Sequence, residues 1–180
     1  PRTYRLGANT GPRKSWASGD ATSRGVLHAL LALRGEPGYP AALSAPKYGF
    51  VDSIMRGRPI LAPRPFGSYI VENILFKVPF PTEFHAQTAS ECAVRLHPLV
   101  KGRLDDIKAI HIRTHTRTLH TIDKSGPLRN AADRDHCLQY ILAVVLKHGK
   151  IAAEDYEDEF ARDPQRDRLR EKRKVTEDAS

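Results

Sequence analysis

The feature that most limits how this chain can fold is the stretch from Gly35 to Pro65, where six prolines and several glycines follow one another closely. Proline fixes φ and removes a backbone donor, so neither a long helix nor a central strand can run through it. Only short helical pieces fit, around Ala41 to Leu43 and Tyr48 to Met55. The stretch therefore acts as a connection, and the chain divides into residues 1–65 and 66–180.

On the N-terminal side, residues 1–14 are polar and carry Gly7, Gly11 and Pro12, which predicts irregular backbone. A helix follows, capped by Asp20 or an earlier residue. Its apolar stripe is Val26, Leu27, Leu30 and Leu31, and Gly35 with Pro37 ends it. On the C-terminal side, Ile70, Val71, Ile74, Leu75, Phe76 and Val78 form a β-prone run stopped by Pro79 and Pro81. Residues 85–97 place Ala86, Ala89, Cys92, Ala93 and Leu96 on one helical face, and Ile107 to Thr114 reads as a strand. Asn130 is expected to cap an amphipathic helix with the stripe Leu138, Ile141, Leu142, Val145 and Leu146, closed by Lys147, His148 and Gly149. Asp163-Pro164 starts a last helix, charged nearly all round from Arg166 to Lys174. Strand, helix, strand is the pattern of a mixed α/β layer, so the fold class is α+β.

The net charge of +8 raises the possibility of a nucleic-acid or acidic partner. Its distribution argues otherwise. Residues 1–14 contribute +4 and residues 162–174 another +4, while 15–161 are close to balance at +2. Both basic ends lack interleaved aromatics, so a solvated helix face or tail explains them better than a phosphate-tracking groove. No apolar run approaches the roughly 18 residues that a membrane helix needs. The sequence opens on Pro1 with no initiator Met and no apolar signal core, as expected of a cut end. Cys92 and Cys137 are the two cysteines, without a Cys-x-x-Cys pair, which fits a reducing compartment better than a disulfide scaffold or a cluster-binding loop.

Four groups of residues could carry chemistry. His111 and His115 lie four apart, and on a strand they would share a face about 13 Å apart, too far to share a metal. They read as solvent-facing. Asp133-Arg134-Asp135-His136 sits where a helix begins, and carboxylates there answer the helix dipole without any further role. Gly19 to Arg24 offers a helix start with one guanidinium, equally an anion site or a cap with a surface Arg. Phe76 to His85 holds Lys77 within an apolar run and His85 after a proline-bounded turn. Strand alternation alone would put Lys77 in water, whereas the chemical reading is a cation for carboxylates and an imidazole for proton transfer.

Longer matches bear on that choice. Ser15–Arg24 (SWASGDATSR), Phe66–Lys77 (FGSYIVENILFK) and Phe80–Ala89 (FPTEFHAQTA) resemble the MmgE/PrpD family. Downstream, Ile122–Leu128 (IDKSGPL), Ala132–Tyr140 (ADRDHCLQY) and Ala153–Asp158 (AEDYED) match the same family in the same order. The resemblance covers roughly residues 13 to 178 and implies an internal fragment of a two-domain lyase. By it, residues 1–65 belong to an all-helical domain and its linker, and 66–180 to a small two-layer α/β lid domain, truncated at its C-terminal end. The implied reaction is dehydration of 2-methylcitrate to 2-methyl-cis-aconitate in propionate catabolism, with no iron–sulfur cluster or other cofactor. The implied assembly is a homodimer when full length, in a bacterial cytoplasm or a mitochondrial matrix. Carried over by motif, Lys77 and His85 are the catalytic candidates, Ser23 and Arg24 the substrate-binding ones. The run Thr114-His115-Thr116-Arg117-Thr118 departs from the family, which usually carries an acidic residue after the Thr-His pair. Further site residues of the family lie on sequence that this chain lacks, so the fragment alone is expected to be inactive. A catalytically incomplete relative, or a basic binding protein, is the alternative.

Overall fold

Seventeen residues without a proline, Ala17–Leu33, form α1 in the computed structural model, which describes residues 16–61 and 79–178. The expected stop is present. Gly35 adopts φ +87°, and the Glu36 N–H returns to the Leu31 carbonyl at 3.1 Å, a left-handed closure that a glycine allows without a Cβ penalty. Val26, Leu27 and Leu30 are all more than half exposed, and α1 has no buried residue. Its stripe is thus present but unpacked among the described residues. The proline-rich stretch holds turns and one short helix, α2 (Phe50–Ser53). Among the described residues, 18–61 belong to one compact unit and 79–178 to a second.

The second unit holds α3 (Gln87–Val100), β1 (Ile110–Thr114), α4 (Thr116–Ile122), α5 (Ala131–Asp135), α6 (Leu138–His148), α7 (Asp158–Ala161), α8 (Pro164–Glu171) and β2 (Arg173–Glu177). Its centre is α6. Nine consecutive residues, Leu138 to Leu146, are buried, because α3, α5 and α8 pack around the helix on several sides. Each buried Leu, Ile or Val stabilises by about 1.5–3 kcal/mol relative to exposure, and no other described element buries as many apolar residues as α6. Ile112 of β1 and Ile122 of α4 complete one cluster, and Leu104, Ala143 and Leu169 form a second beside it. Strands β1 and β2 pair in parallel with Ile112 opposite Val175.

Several boundaries differ from expectation for identifiable reasons. Asn130 caps α5 and not the long helix: the Asp133 N–H donates to its Oδ1 at 2.9 Å, and the chain breaks at His136 and Cys137 before α6. The α6 stripe is not one-sided, since tertiary packing encloses the whole helix. The buried residues of α3 are Ser90 and Ala93, with Ala86 buried in the turn before it, whereas Cys92 is exposed and Leu96 half-exposed. Asp163 and Pro164 do start α8, with the Gln165 N–H donating to the Asp163 carboxylate at 3.0 Å, yet the helix ends at Glu171. Arg173 and Lys174 are strand residues, drawn out by pairing with Ile110 and His111. The β-prone run 70–78 lies outside the described residues.

Helix α8 is also less solvated than its composition suggests. Arg166 is buried, Arg168 and Lys172 reach the side chain and carbonyl of Asp105, and Arg170 and Arg173 donate to the carbonyls of Gly126 and Lys124. Hydrogen bonds from Arg168 and Gln165 hold the Asp105 carboxyl below the usual range. These cations are engaged within the unit. The basic residues of 1–14 lie outside the described residues. No described helix is long and apolar enough to cross a membrane.

Candidate active site

Pro79 and Pro81 keep the segment before α3 out of a helix, and the Gln87 amide fastens it. Gln87 Nε2 donates to the Phe80 carbonyl at 3.0 Å, to the Thr82 carbonyl at 3.1 Å and to Thr82 Oγ1 at 2.7 Å. Thr82 is buried and Ala86 fully so, which anchors the turn Phe84–Ala86 against the core. Glu83 caps that turn by accepting the His85 N–H at 2.7 Å. The same carboxylate meets the imidazole, with His85 Nδ1 2.9 Å from Glu83 Oε1. A carboxylate can only accept, so Nδ1 carries a proton and Nε2 is the ring nitrogen not engaged by Glu83. The His85 side chain keeps about a quarter of its surface, 26%, against 12% for Glu83. It is therefore held yet reachable.

A second imidazole stands against the first. His115 is the residue before α4, not part of β1, and its Nδ1 accepts the Arg117 N–H at 3.2 Å. Its ring centroid is 5.3 Å from that of His85, with the planes tilted by 50°. Because the strand stops at Thr114, His111 and His115 do not share a strand face as the spacing suggested, although both are exposed. Neither Glu83 nor His115 was recognised as a site residue from sequence. The available signals were a Glu two positions before His85 at a turn start, and a polar residue directly before a threonine-rich helix.

Ser23 and Arg24 are exposed on α1 in the first unit, where Arg24 Nε donates to Asp20 one turn earlier at 3.1 Å. Lys77 lies outside the described residues. Asp133, Arg134 and His136 are buried. Asp133 accepts the Arg129 N–H at 3.0 Å, Arg134 donates to the Tyr156 carbonyl and pairs with Asp158, and His136 meets Asp135 at 3.1 Å. These contacts brace α5. Among the described residues, no three of His, Cys, Asp and Glu stand close enough to hold a metal ion.

The MmgE/PrpD C-terminal domain model matches residues 80–180, and the MmgE/PrpD N-terminal domain model matches 1–61. The chain belongs to the MmgE/PrpD family. Its relatives in that family include the mitochondrial 2-methylcitrate dehydratase of Yarrowia lipolytica, 54% identical over 180 residues, with 98% of this chain and 35% of that protein covered. The 2-methylcitrate dehydratase of Escherichia coli K12 is 52% identical, with 98% and 37% covered. That of Salmonella typhimurium is 54% identical over 174 residues, with 95% and 36% covered. The chain thus spans little more than a third of these MmgE/PrpD relatives. The matched C-terminal region contains Glu83, His85 and His115.

Proposed function

We propose that this chain is part of a cluster-independent hydro-lyase that dehydrates 2-methylcitrate to 2-methyl-cis-aconitate in propionate catabolism. The observation that carries the reading is a part-exposed imidazole, His85, tethered through Nδ1 to Glu83 within a chain about half identical to proteins named 2-methylcitrate dehydratase. Dehydration removes a proton from a carbon next to a carboxylate and expels a hydroxyl as water while a C=C bond forms. His85 Nε2 suits the proton transfer, because the Glu83 carboxylate offsets the charge that develops on the ring. Lys77 is the proposed cation for charge developing on the substrate carboxylate, and Ser23 and Arg24 the proposed substrate contacts. The lid-domain placement of residues 66–180, the homodimer and a cytoplasmic or mitochondrial-matrix location belong to the same proposal. So does the inactivity of the 180 residues alone.

The test is turnover by the full-length protein with 2-methylcitrate, citrate and cis-aconitate. We expect 2-methylcitrate to be dehydrated and His85→Asn to lower kcat by about 10²-fold or more, the usual contribution of a positioned acid–base group. Absence of turnover with all three compounds would remove the assignment.

A further inference from the structure

We propose that His115 is a positioning residue for His85: a neutral, Nε2-protonated imidazole whose ring keeps His85 on Glu83 and so leaves His85 Nε2 facing substrate. The proposal rests on the reading of His85 as the proton-transfer group.

Both ring nitrogens of His115 are engaged within one turn of chain. Nδ1 accepts the Arg117 N–H at 3.2 Å, which requires that nitrogen to be unprotonated. The proton of the neutral ring is therefore on Nε2, 3.2 Å from Thr118 Oγ1. Thr118 is fully buried, and its oxygen also accepts from the Thr114 hydroxyl at 3.0 Å. Rotation of the His115 ring would break both contacts at once, so its orientation is set by α4. A shorter Asn, Asp, Ser or Thr is the usual N-cap, and a cap alone needs no ring. The additional ring is what meets His85.

Among the described residues, three side chains stand against His85. Glu83 holds Nδ1, the Phe84 ring stands edge-on at 5.7 Å and is half-exposed, and His115 closes the side toward α4. Among the described residues, removing His115 leaves the half-exposed Phe84 as the ring that opposes rotation of His85 away from Glu83. A neutral His115 has a second consequence. Positive charge arriving on His85 during proton transfer meets a carboxylate on one side and an uncharged ring on the other.

The experiment is ring-¹⁵N NMR of the histidines in the 180-residue chain, without substrate, with His85 and His115 assigned from the signals lost in His85→Asn and His115→Asn. The expected wild-type result is an Nδ1–H tautomer for His85, an Nε2–H tautomer for His115 and a cross-relaxation contact between the two rings. His115→Asn retains an N-cap, which backbone amide signals of α4 will verify, and should convert His85 to a mixture of tautomers. A His85 spectrum unchanged in His115→Asn, or a protonated Nδ1 on neutral wild-type His115, would overturn the proposal. Failure of the dehydratase reading would instead appear as absent turnover in the full-length protein with these NMR signatures intact.

Discussion

Arg166 lies over the ring of Tyr140, its guanidinium carbon 5.2 Å from the centroid, and donates through Nη1 to the Tyr140 hydroxyl at 2.9 Å. The hydroxyl in turn donates to the Asp155 carbonyl, so one phenol ties α8, α6 and the turn Ala153–Tyr156 together. Arg166 is 3% exposed. A buried charge-assisted hydrogen bond with a cation stacked on an aromatic face outweighs any surface pair in this unit.

Arg166→Met keeps most of the packing volume and removes the charge. It is expected to cost about 2 kcal/mol, the scale of one charge-assisted hydrogen bond plus the ring contact. Arg166→Lys should recover part of that loss, because an ammonium retains the charge but cannot stack in plane. Urea unfolding followed by far-UV circular dichroism checks both values. A loss under 0.5 kcal/mol for Arg166→Met, on the order of a surface substitution, would show that α8 is held by Leu169 and not by the arginine.

The alkaline limb of stability follows from the same phenol. Burial pushes the Tyr140 hydroxyl up to about 12, against the opposing pull of Arg166 and Arg134, and burial raises Tyr156 as well. In the unfolded chain both ionise near 10.0. Between those values the unfolded state binds fewer protons than the folded one, so unfolding becomes easier as pH rises. Stability from these groups is fully present below pH 10 and is lost as pH climbs toward 12. Tyr140→Phe should lower the urea midpoint at neutral pH and make its decline above pH 10 shallower than in wild type. Midpoints measured from pH 8 to 11 test the slope.

How much of this was legible in the sequence depended on the range of the interaction. The α1 stop at Gly35, the Asp163-Pro164 start and the Gly149 stop are local signals, and each appears where the residues place it. The break at His136 and Cys137 was not legible, because α5 and α6 read as one amphipathic run until Arg134 and Asp133 are turned inward by Tyr156 and Arg129. Arg173 and Lys174 look helical by charge and become a strand through partners more than sixty residues away. In the site, the ordered motifs drew attention to His85, but its pairing with His115 joins segments thirty residues apart. That contact comes from α4 packing beside the turn Phe84–Ala86, which no local spacing encodes.

Gly149 closes α6 at φ +71°, and a Cβ built there would lie 2.7 Å from the His97 ring. That ring is fixed by its Nδ1, 2.8 Å from the Leu146 carbonyl, so it cannot withdraw without losing a contact to the last turn of α6. Gly149→Ala therefore combines left-handed strain of about 1–2 kcal/mol with a steric conflict. We expect a loss of at least 1 kcal/mol in urea unfolding. The double variant with His97→Ala should lose less than the sum of the two single changes, since the conflict is then absent.

Asp163 joins two duties that can be separated. It caps α8 by accepting the Gln165 N–H at 3.0 Å, and it takes the Lys147 ammonium of α6 at 2.5 Å. Burial, the largest influence, would raise its pKa; the hydrogen bond and charge of Lys147, the Gln165 N–H and the charge of Arg166 together overcome that and leave the carboxyl below its ordinary value. A depressed folded pKa means the folded state holds the proton less readily than the unfolded chain. The associated stability is thus present above about pH 4, the ordinary range for an aspartate, and is lost as pH falls through the lower folded value. Asp163→Asn keeps an N-cap oxygen and loses the ion pair, so at neutral pH it should lose the stability that the pair supplies, and its stability should decline less below pH 4. Asp163→Ala removes both contributions and is expected to cost about 1 kcal/mol at pH 7 from the lost cap alone. Equal losses for the two variants at pH 7 would place the contribution in the Lys147 pair and not in the cap.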